Sequence, residues 1–175
     1  LGGSNVIGGL GYVRCAEELL QQIDEQNLAI GQIVLATGSA GTQAGLLAGL
    51  IAAGSDIRVL GINVSRPEKE QSQLVESLLK ELLIYLNIDP ALSDGRVFTN
   101  GDYYGDGYGI STPEMIAAVK QCAALEGILL DPVYSGKAMA GLVDLCKSEK
   151  LSKKSNLLFL HTGGTAGLFA YPEIF

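Results

Sequence analysis

The segment with the clearest capacity for chemistry is Ala36-Thr37-Gly38-Ser39-Ala40-Gly41-Thr42. It follows an apolar run and opens a stretch with helical character, so it reads as a strand-to-helix turn. Free backbone N–H groups and the positive end of the helix dipole converge at such a turn. Gly38, Ala40 and Gly41 let an anion approach the backbone, and Ser39 and Thr42 add hydroxyl donors. The chemistry this implies is recognition of a phosphate. No Lys follows Gly41, so the turn is not a Walker P-loop, and the spacing misses the G-x-G-x-x-G of dinucleotide sites. A plain tight turn packed under another loop is the alternative. Gly41, Gly45 and Gly49 then recur every fourth residue, a stripe expected to bring the following helix close to a sheet.

Two more loaded segments follow apolar runs: Asp131-Pro132-Val133-Tyr134-Ser135-Gly136-Lys137 and His161-Thr162-Gly163-Gly164-Thr165. Ligands of open parallel sheets bind at the carboxyl ends of the strands, so all three segments are expected on one crevice. Asp131 before Pro132 reads as a turn former. His161, the sole histidine, invites a general-base role, but a hydrogen-bonded structural role at a buried strand end is preferred. Tyr103 and Tyr104 read as loop packing. Spacing alone leaves Tyr134 open between core packing and the site. Cys15, Cys122 and Cys146 are odd in number and widely spaced, which fits neither a zinc site nor a disulfide framework; no metal is expected, and the thiols suit a reducing compartment.

The elements that must position these residues are legible as apolar runs. Gln32–Ala36, Val59–Val64, Gly127–Asp131 and Asn156–Leu160 are nearly continuous, as in parallel strands buried on both faces. Helical periodicity covers Tyr12–Gln26 and Glu68–Leu86, the latter with Leu74, Leu78, Leu82 and Leu86 on one face. Ser65-Arg66-Pro67-Glu68 and Ser111-Thr112-Pro113-Glu114 share an S-x-P-E pattern, in which Ser caps, Pro opens the first turn and Glu closes a capping box. Alternating strands and helices give an α/β fold, a three-layer parallel sheet with helices on both faces. Asp89–Thr112, with five glycines and three tyrosines, is the longest irregular stretch, a length often tied to function. Gly2-Gly3-Ser4-Asn5 with Gly8, Gly9 and Gly11 reads as a glycine-rich loop before the first helix, and a loop with nothing before it to connect suggests a chain that began earlier.

Composition narrows the class. The 175 residues carry 12 basic and 19 acidic side chains, a net charge of −7, which argues against a nucleic-acid partner. The apolar fraction of 47 % is too high for a disordered chain. The glycines, 23 in all, are about twice the usual ~7 %. The longest apolar stretch, Ala44–Gly54, is too short for a membrane span, and no secretory pattern opens the chain, so a cytoplasmic protein without membrane attachment is expected.

Taken together, G-G-S-N (2–5), T-G-S-A-G-T-Q-A-G (37–45), L-L-D-P-V-Y-S-G-K-A-M-A-G-L (129–142) and H-T-G-G (161–164) resemble the D-cysteine desulfhydrase and 1-aminocyclopropane-1-carboxylate deaminase family. The resemblance implies a tryptophan-synthase-β-like fold and pyridoxal 5'-phosphate as cofactor. It covers the whole chain, yet such proteins are about twice as long, so residues 1–175 are expected to be the C-terminal portion of the cofactor-binding domain. By resemblance, Gly38, Ser39, Ala40, Gly41 and Thr42 hold the cofactor phosphate, Thr162 lies beside the pyridine nitrogen, and Tyr134 and Tyr108 act on substrate or leaving group. Deaminases of the family are expected to carry Glu after the pocket tyrosine; Ser135 stands there, which favours the desulfhydrase branch, with a cysteate sulfo-lyase also open. The family's Schiff-base lysine lies in a G-G-N-K-x-R-K motif that does not occur here. Lys137, the only lysine in a family motif, is not the one used for that bond. The resemblance therefore implies a homodimeric lyase that converts a small amino acid, D-cysteine, to pyruvate, sulfide and ammonia, of which this chain alone is inactive and prone to self-association. A Rossmann-like module binding a nucleotide at 38–42, with Ser65 and Arg66 at a ribose phosphate, and a fragment complemented by a separate chain are the alternatives.

Overall fold

The computed structural model describes residues 3–151 and 155–175. Helices and strands follow as α1 (Val6–Glu25), β1 (Ile30–Thr37), α2 (Gly41–Ala52), β2 (Arg58–Asn63), α3 (Glu68–Tyr85), a 3-10 turn (Pro90–Ser93), β3 (Phe98–Asn100), α4 (Pro113–Glu126), α5 (Ser135–Lys147), β4 (Asn156–Phe159) and a 3-10 segment (Thr165–Ala170). The strands form one parallel sheet in the order β3-β2-β1-β4. Among the described residues, no helix is long and apolar enough to cross a membrane.

The three layers follow from the pleat. Successive side chains of a strand point to opposite faces. Ile33 and Leu35 of β1 join Ala16 of α1, Leu46, Leu47 and Leu50 of α2, and Leu79 and Leu82 of α3. Val34 and Ala36 of the same strand join Ile62, Ala138 and Leu145 on the other face. Met115 and Val119 of α4 extend this second layer around Leu130. α2 is buried from Gln43 to Ile51, which is why its composition is apolar all round.

Five expectations need correction. Gly127–Asp131 is not a strand: the Leu129 carbonyl is taken by His161 Nε2 at 3.0 Å and Thr165 Oγ1 at 3.2 Å instead of a ladder, while Leu130 packs near Phe159. A three-residue strand, Phe98-Thr99-Asn100, lies inside the stretch expected to be irregular. α1 begins at Val6, well before Tyr12, because Asn5 Oδ1 accepts the Gly8 N–H at 2.9 Å and caps it. The S-x-P-E serines do not cap: at α4 the cap is Thr112, whose hydroxyl accepts the Met115 N–H, and at α3 it is Pro67, without a side-chain bond. Finally, the glycine stripe of α2 faces α1 rather than the sheet. A Cβ on Gly45 would lie 2.5 Å from the Gly9 carbonyl oxygen, and one on Gly49 2.7 Å from that of Val13. Gly2, Lys153 and Lys154 lie outside the described residues.

Candidate functional site

β1 ends at Thr37, and α2 begins four residues later. Its first intrahelical bond runs from the Ala44 N–H to the Ala40 carbonyl, so the amides of residues 41–43 project from the helix end without an intrahelical acceptor. Ala40, the cap, sits at φ 75°, in the left-handed region, and makes no side-chain cap bond. A non-glycine residue there costs about 1–2 kcal/mol, a strain typical of sites where backbone amides are aimed at a ligand. Asn63, Arg66 and Gln71 brace this turn from behind. Arg66 donates to the Gly38 carbonyl and to Gln71 Oε1, Gln71 Nε2 donates to Thr37 Oγ1 at 3.0 Å, and Asn63 Nδ2 donates to the Arg66 carbonyl at 2.9 Å. Arg66 is thus engaged with the turn's own backbone, which removes the cation that a nucleotide reading assigns to a ribose phosphate.

The second wall is the start of α5. Asp131, almost fully buried, accepts four hydrogen bonds: from the amides of Val133 and Tyr134 at Oδ2, and from the amide and hydroxyl of Ser135 at Oδ1, at 2.6–2.8 Å. The Ser135 hydroxyl in turn accepts the Asp131 N–H at 2.8 Å. Asp131 is therefore the anchor of this helix start. Ser135 is closed into the same cap, 2 % exposed.

The third wall is 161–164. His161 Nδ1 accepts the Gly163 N–H at 3.0 Å, so the proton sits on Nε2 and is donated to the Leu129 carbonyl. Both ring nitrogens serve the backbone, the structural role preferred from sequence. Gly163 and Gly164 both have positive φ, 89° and 87°, and a Cβ on Gly164 would press on the Asp131 carboxylate at 3.2 Å. Only glycine combines that conformation with that contact.

The three walls enclose a cavity of about 280 Å³, lined by Tyr12, Ala36–Ala40, Thr42, Tyr134 and Thr162–Gly164. Of the residues singled out from sequence, Gly38, Ser39, Ala40, Thr42, Tyr134 and Thr162 line it. Gly41 is turned toward Ser4, whose Oγ donates to Ser39 Oγ at 2.6 Å. Tyr108 does not line the cavity but reaches it through its partner: the Tyr108 and Tyr134 hydroxyls are 2.6 Å apart, with the rings edge to face at 5.8 Å between centroids. Burial first, and then the bond to Tyr108, push the Tyr134 phenol up to about 12, so it stays protonated through the neutral range. Sequence reasoning missed Tyr12, which lies on the part of α1 that faces Gly45; an aromatic residue beside a run of glycines is the only signal for it.

No lysine lines the cavity among the described residues. Lys137 is fully buried, and its Nζ donates to the carbonyls of Tyr104 and Gly107, both at 2.8 Å. Burial lowers its pKa. Tyr103 donates to Asp144 Oδ2 at 2.7 Å and is half-buried against the second core layer, as loop packing requires. Cys15, Cys122 and Cys146 are free thiols, and no group of metal-ligating side chains is found among the described residues.

Comparison with known proteins adds the following. A family described as pyridoxal-phosphate dependent enzyme matches residues 2–163. The D-cysteine desulfhydrase of Yersinia pestis (strain Pestoides F) is 44 % identical over 175 residues, 99 % of this chain and 52 % of that protein. That of Serratia proteamaculans is 43 % identical with the same coverage. The chain thus spans about half the length of the curated relatives it matches. A crystal structure of an ACC deaminase homologue superposes with a TM-score of 0.87 at 38 % identity, over 98 % of this chain and 50 % of that one. A fungal L-serine ammonia-lyase from Rhizomucor miehei, 19 % identical with a TM-score of 0.60 over 95 % of this chain and 56 % of that one, shares the fold.

Proposed function

The chain belongs to the family of pyridoxal-phosphate-dependent enzymes, and we propose that it is the phosphate-gripping portion of a carbon–sulfur lyase that takes D-cysteine and water to pyruvate, hydrogen sulfide and ammonia. The observation that carries this reading is the convergence, on one cavity, of a helix N-terminus with free amides, a neutral hydroxyl at Thr162 and a hydroxyl-paired tyrosine. These residues fit the cofactor. The amides at the start of α2, with Ser39 and Thr42, suit its phosphate. Thr162 offers the ring nitrogen a hydroxyl, and among the described residues no acid lines the cavity to hold a proton on that nitrogen. When bound, the cofactor supplies the electron sink for the α-carbon.

The tyrosines then handle protons at the substrate's far end. Tyr134, neutral at physiological pH, donates its hydroxyl proton to the departing sulfur; Tyr108 at 2.6 Å passes its own proton to Tyr134 and takes one back from solvent, to which it is exposed. The cap at Asp131 holds the Tyr134 backbone while this occurs. Ser135 supports the desulfhydrase branch over the deaminase: a carboxylate at this position would have to replace a hydroxyl closed into the Asp131 cap. Residues 1–175 are read as the C-terminal portion of the cofactor domain, with the covalent lysine on the other portion, in a cytoplasmic homodimer. The free thiols support the reducing compartment.

Two measurements test the reading. Thr42→Val is expected to weaken pyridoxal-phosphate binding by calorimetry about tenfold or more, the loss of one hydrogen bond to a charged group. Unchanged affinity, or tight NADP binding without pyridoxal-phosphate binding, overturns the assignment of the turn. The purified 175-residue chain is expected to release no sulfide from D-cysteine, because no lysine among the described residues faces the cavity. Mixing with a separately expressed chain that matches the relatives' other half is expected to restore it. Enzyme-like sulfide release by the chain alone, or restored activity only on 1-aminocyclopropane-1-carboxylate or cysteate, speaks against this proposal.

A further inference from the structure

Lys137 is the largest fully buried side chain among the described residues, yet its ammonium touches neither the cavity nor any carboxylate in their ion pairs. An ammonium taken out of water must be compensated by acceptors with good geometry. Its two acceptors are backbone carbonyls of one loop, at Tyr104 and Gly107. That loop runs from the end of β3 at Asn100 to the start of α4 at Pro113, with glycine at 105, 107 and 109, and has no strand or helix of its own. Such a segment has little intrinsic preference for one conformation. Gly107 immediately precedes Tyr108, the residue whose hydroxyl meets Tyr134 at the rim of the cavity. On its far side the loop is held by the Tyr171 hydroxyl, which donates to the Gly109 carbonyl at 3.0 Å.

We propose that Lys137 is a positioning residue of the candidate site: from the first turn of α5 it clamps the backbone on the N-terminal side of Tyr108 and so fixes that phenol against Tyr134. Tyr134 and the side chain that places its partner thus both leave the same helix start, three residues apart. A buried apolar residue of similar length fills the space but offers nothing to the two carbonyls: that of Tyr104 loses its ammonium donor, and that of Gly107 keeps only the Ile110 N–H at 3.3 Å. The role serves the lyase site proposed above. Its test needs neither cofactor nor turnover, so it succeeds or fails separately from that assignment.

The test is backbone hydrogen exchange read by mass spectrometry on the 175-residue chain, with Lys137→Met, Lys137→Arg and Tyr108→Phe. Lys137→Met is expected to speed exchange in 104–110 by roughly tenfold or more, local opening being the event read, while the turn at 38–44 keeps its protection. Lys137→Arg, which retains donors, is expected to recover part of the protection. Tyr108→Phe, which removes only the hydroxyl, is expected to leave the loop protected. A second readout is the ultraviolet titration of the phenols: the late ionisation assigned to Tyr134 through Tyr134→Phe is expected to move toward the ordinary range in Lys137→Met. If Lys137→Met does not fold, Lys137→Gln, which keeps one amide donor, is read in its place with an intermediate loss of protection. Unchanged exchange in 104–110 in the folded variant overturns the proposal, as does an equal rise across all elements.

Discussion

Replacing Asp131 with alanine is expected to lower the chain's stability by about 4 kcal/mol, a fall in melting temperature of roughly 10 °C for a domain of this size. The carboxylate accepts four hydrogen bonds from residues 133–135 inside a site that is 2 % exposed. Alanine leaves three backbone amides and a hydroxyl without that acceptor, and each such loss is large when the site is dry. Asn keeps the shape and a single acceptor oxygen, so Asp131→Asn is expected to lie between. The exposed Asp106 supplies the control: its alanine variant is expected within about 0.5 kcal/mol of the parent. Calorimetry reads all three, and a change of less than about 2 °C in Asp131→Ala excludes the anchoring role.

The second large effect concerns the contact between α1 and α2. A Cβ on Gly49 would lie 2.6 Å from the Ala16 Cβ, 2.7 Å from the Val13 carbonyl oxygen and 3.0 Å from the Val13 Cα. Two of those atoms are backbone, so the clash is relieved only by moving a helix. Gly49→Val is expected to cost about 3 kcal/mol or more, at the upper end of overpacking effects. Gly11 provides the opposite sign. It is exposed on α1 with nothing near the position of a Cβ, and Gly11→Ala is expected to stabilise by about 0.5–1 kcal/mol through helix propensity alone. Urea midpoints of the two variants moving in the same direction would contradict this account.

These two glycines also explain what could and could not be read from sequence. Three of the strands and the course of α3 were legible because their apolar periodicity is a property of the chain itself. Two of the segments that meet at the cavity, 36–42 and 161–164, were legible because they lie at the ends of β1 and β4, and parallel sheets place such loops at one end; 131–137 meets them without a strand before it. The start of α1 was not, because Gly8, Gly9 and Gly11 carry a loop signature; the helix forms there because Asn5 caps it and Gly9 lies against Leu82 of α3. The run 127–131 has the apolar character of a strand, but pairing is decided by the neighbour available for hydrogen bonds, which no local pattern encodes. β3 is too short for alternation to register. The partner of Lys137 was invisible for the same reason: a backbone carbonyl thirty residues upstream leaves no mark in side-chain types.

The bracing of the turn by Arg66 has a consequence for how an anion is held there. The guanidinium is tied to the Gly38 carbonyl, and neither Lys nor Arg lines the cavity among the described residues. An anion at the start of α2 is therefore met by fixed amide dipoles and hydroxyls, none of which changes its proton count near neutrality. Dissolved salt weakens attraction between full charges over the Debye length but has little grip on short contacts to partial charges. Seen from a distance, a dianion approaches a chain of net charge −7, and salt screens that repulsion. A phosphate-bearing ligand held in this way keeps its affinity, or gains some, as ionic strength rises, opposite to a pocket built on lysines.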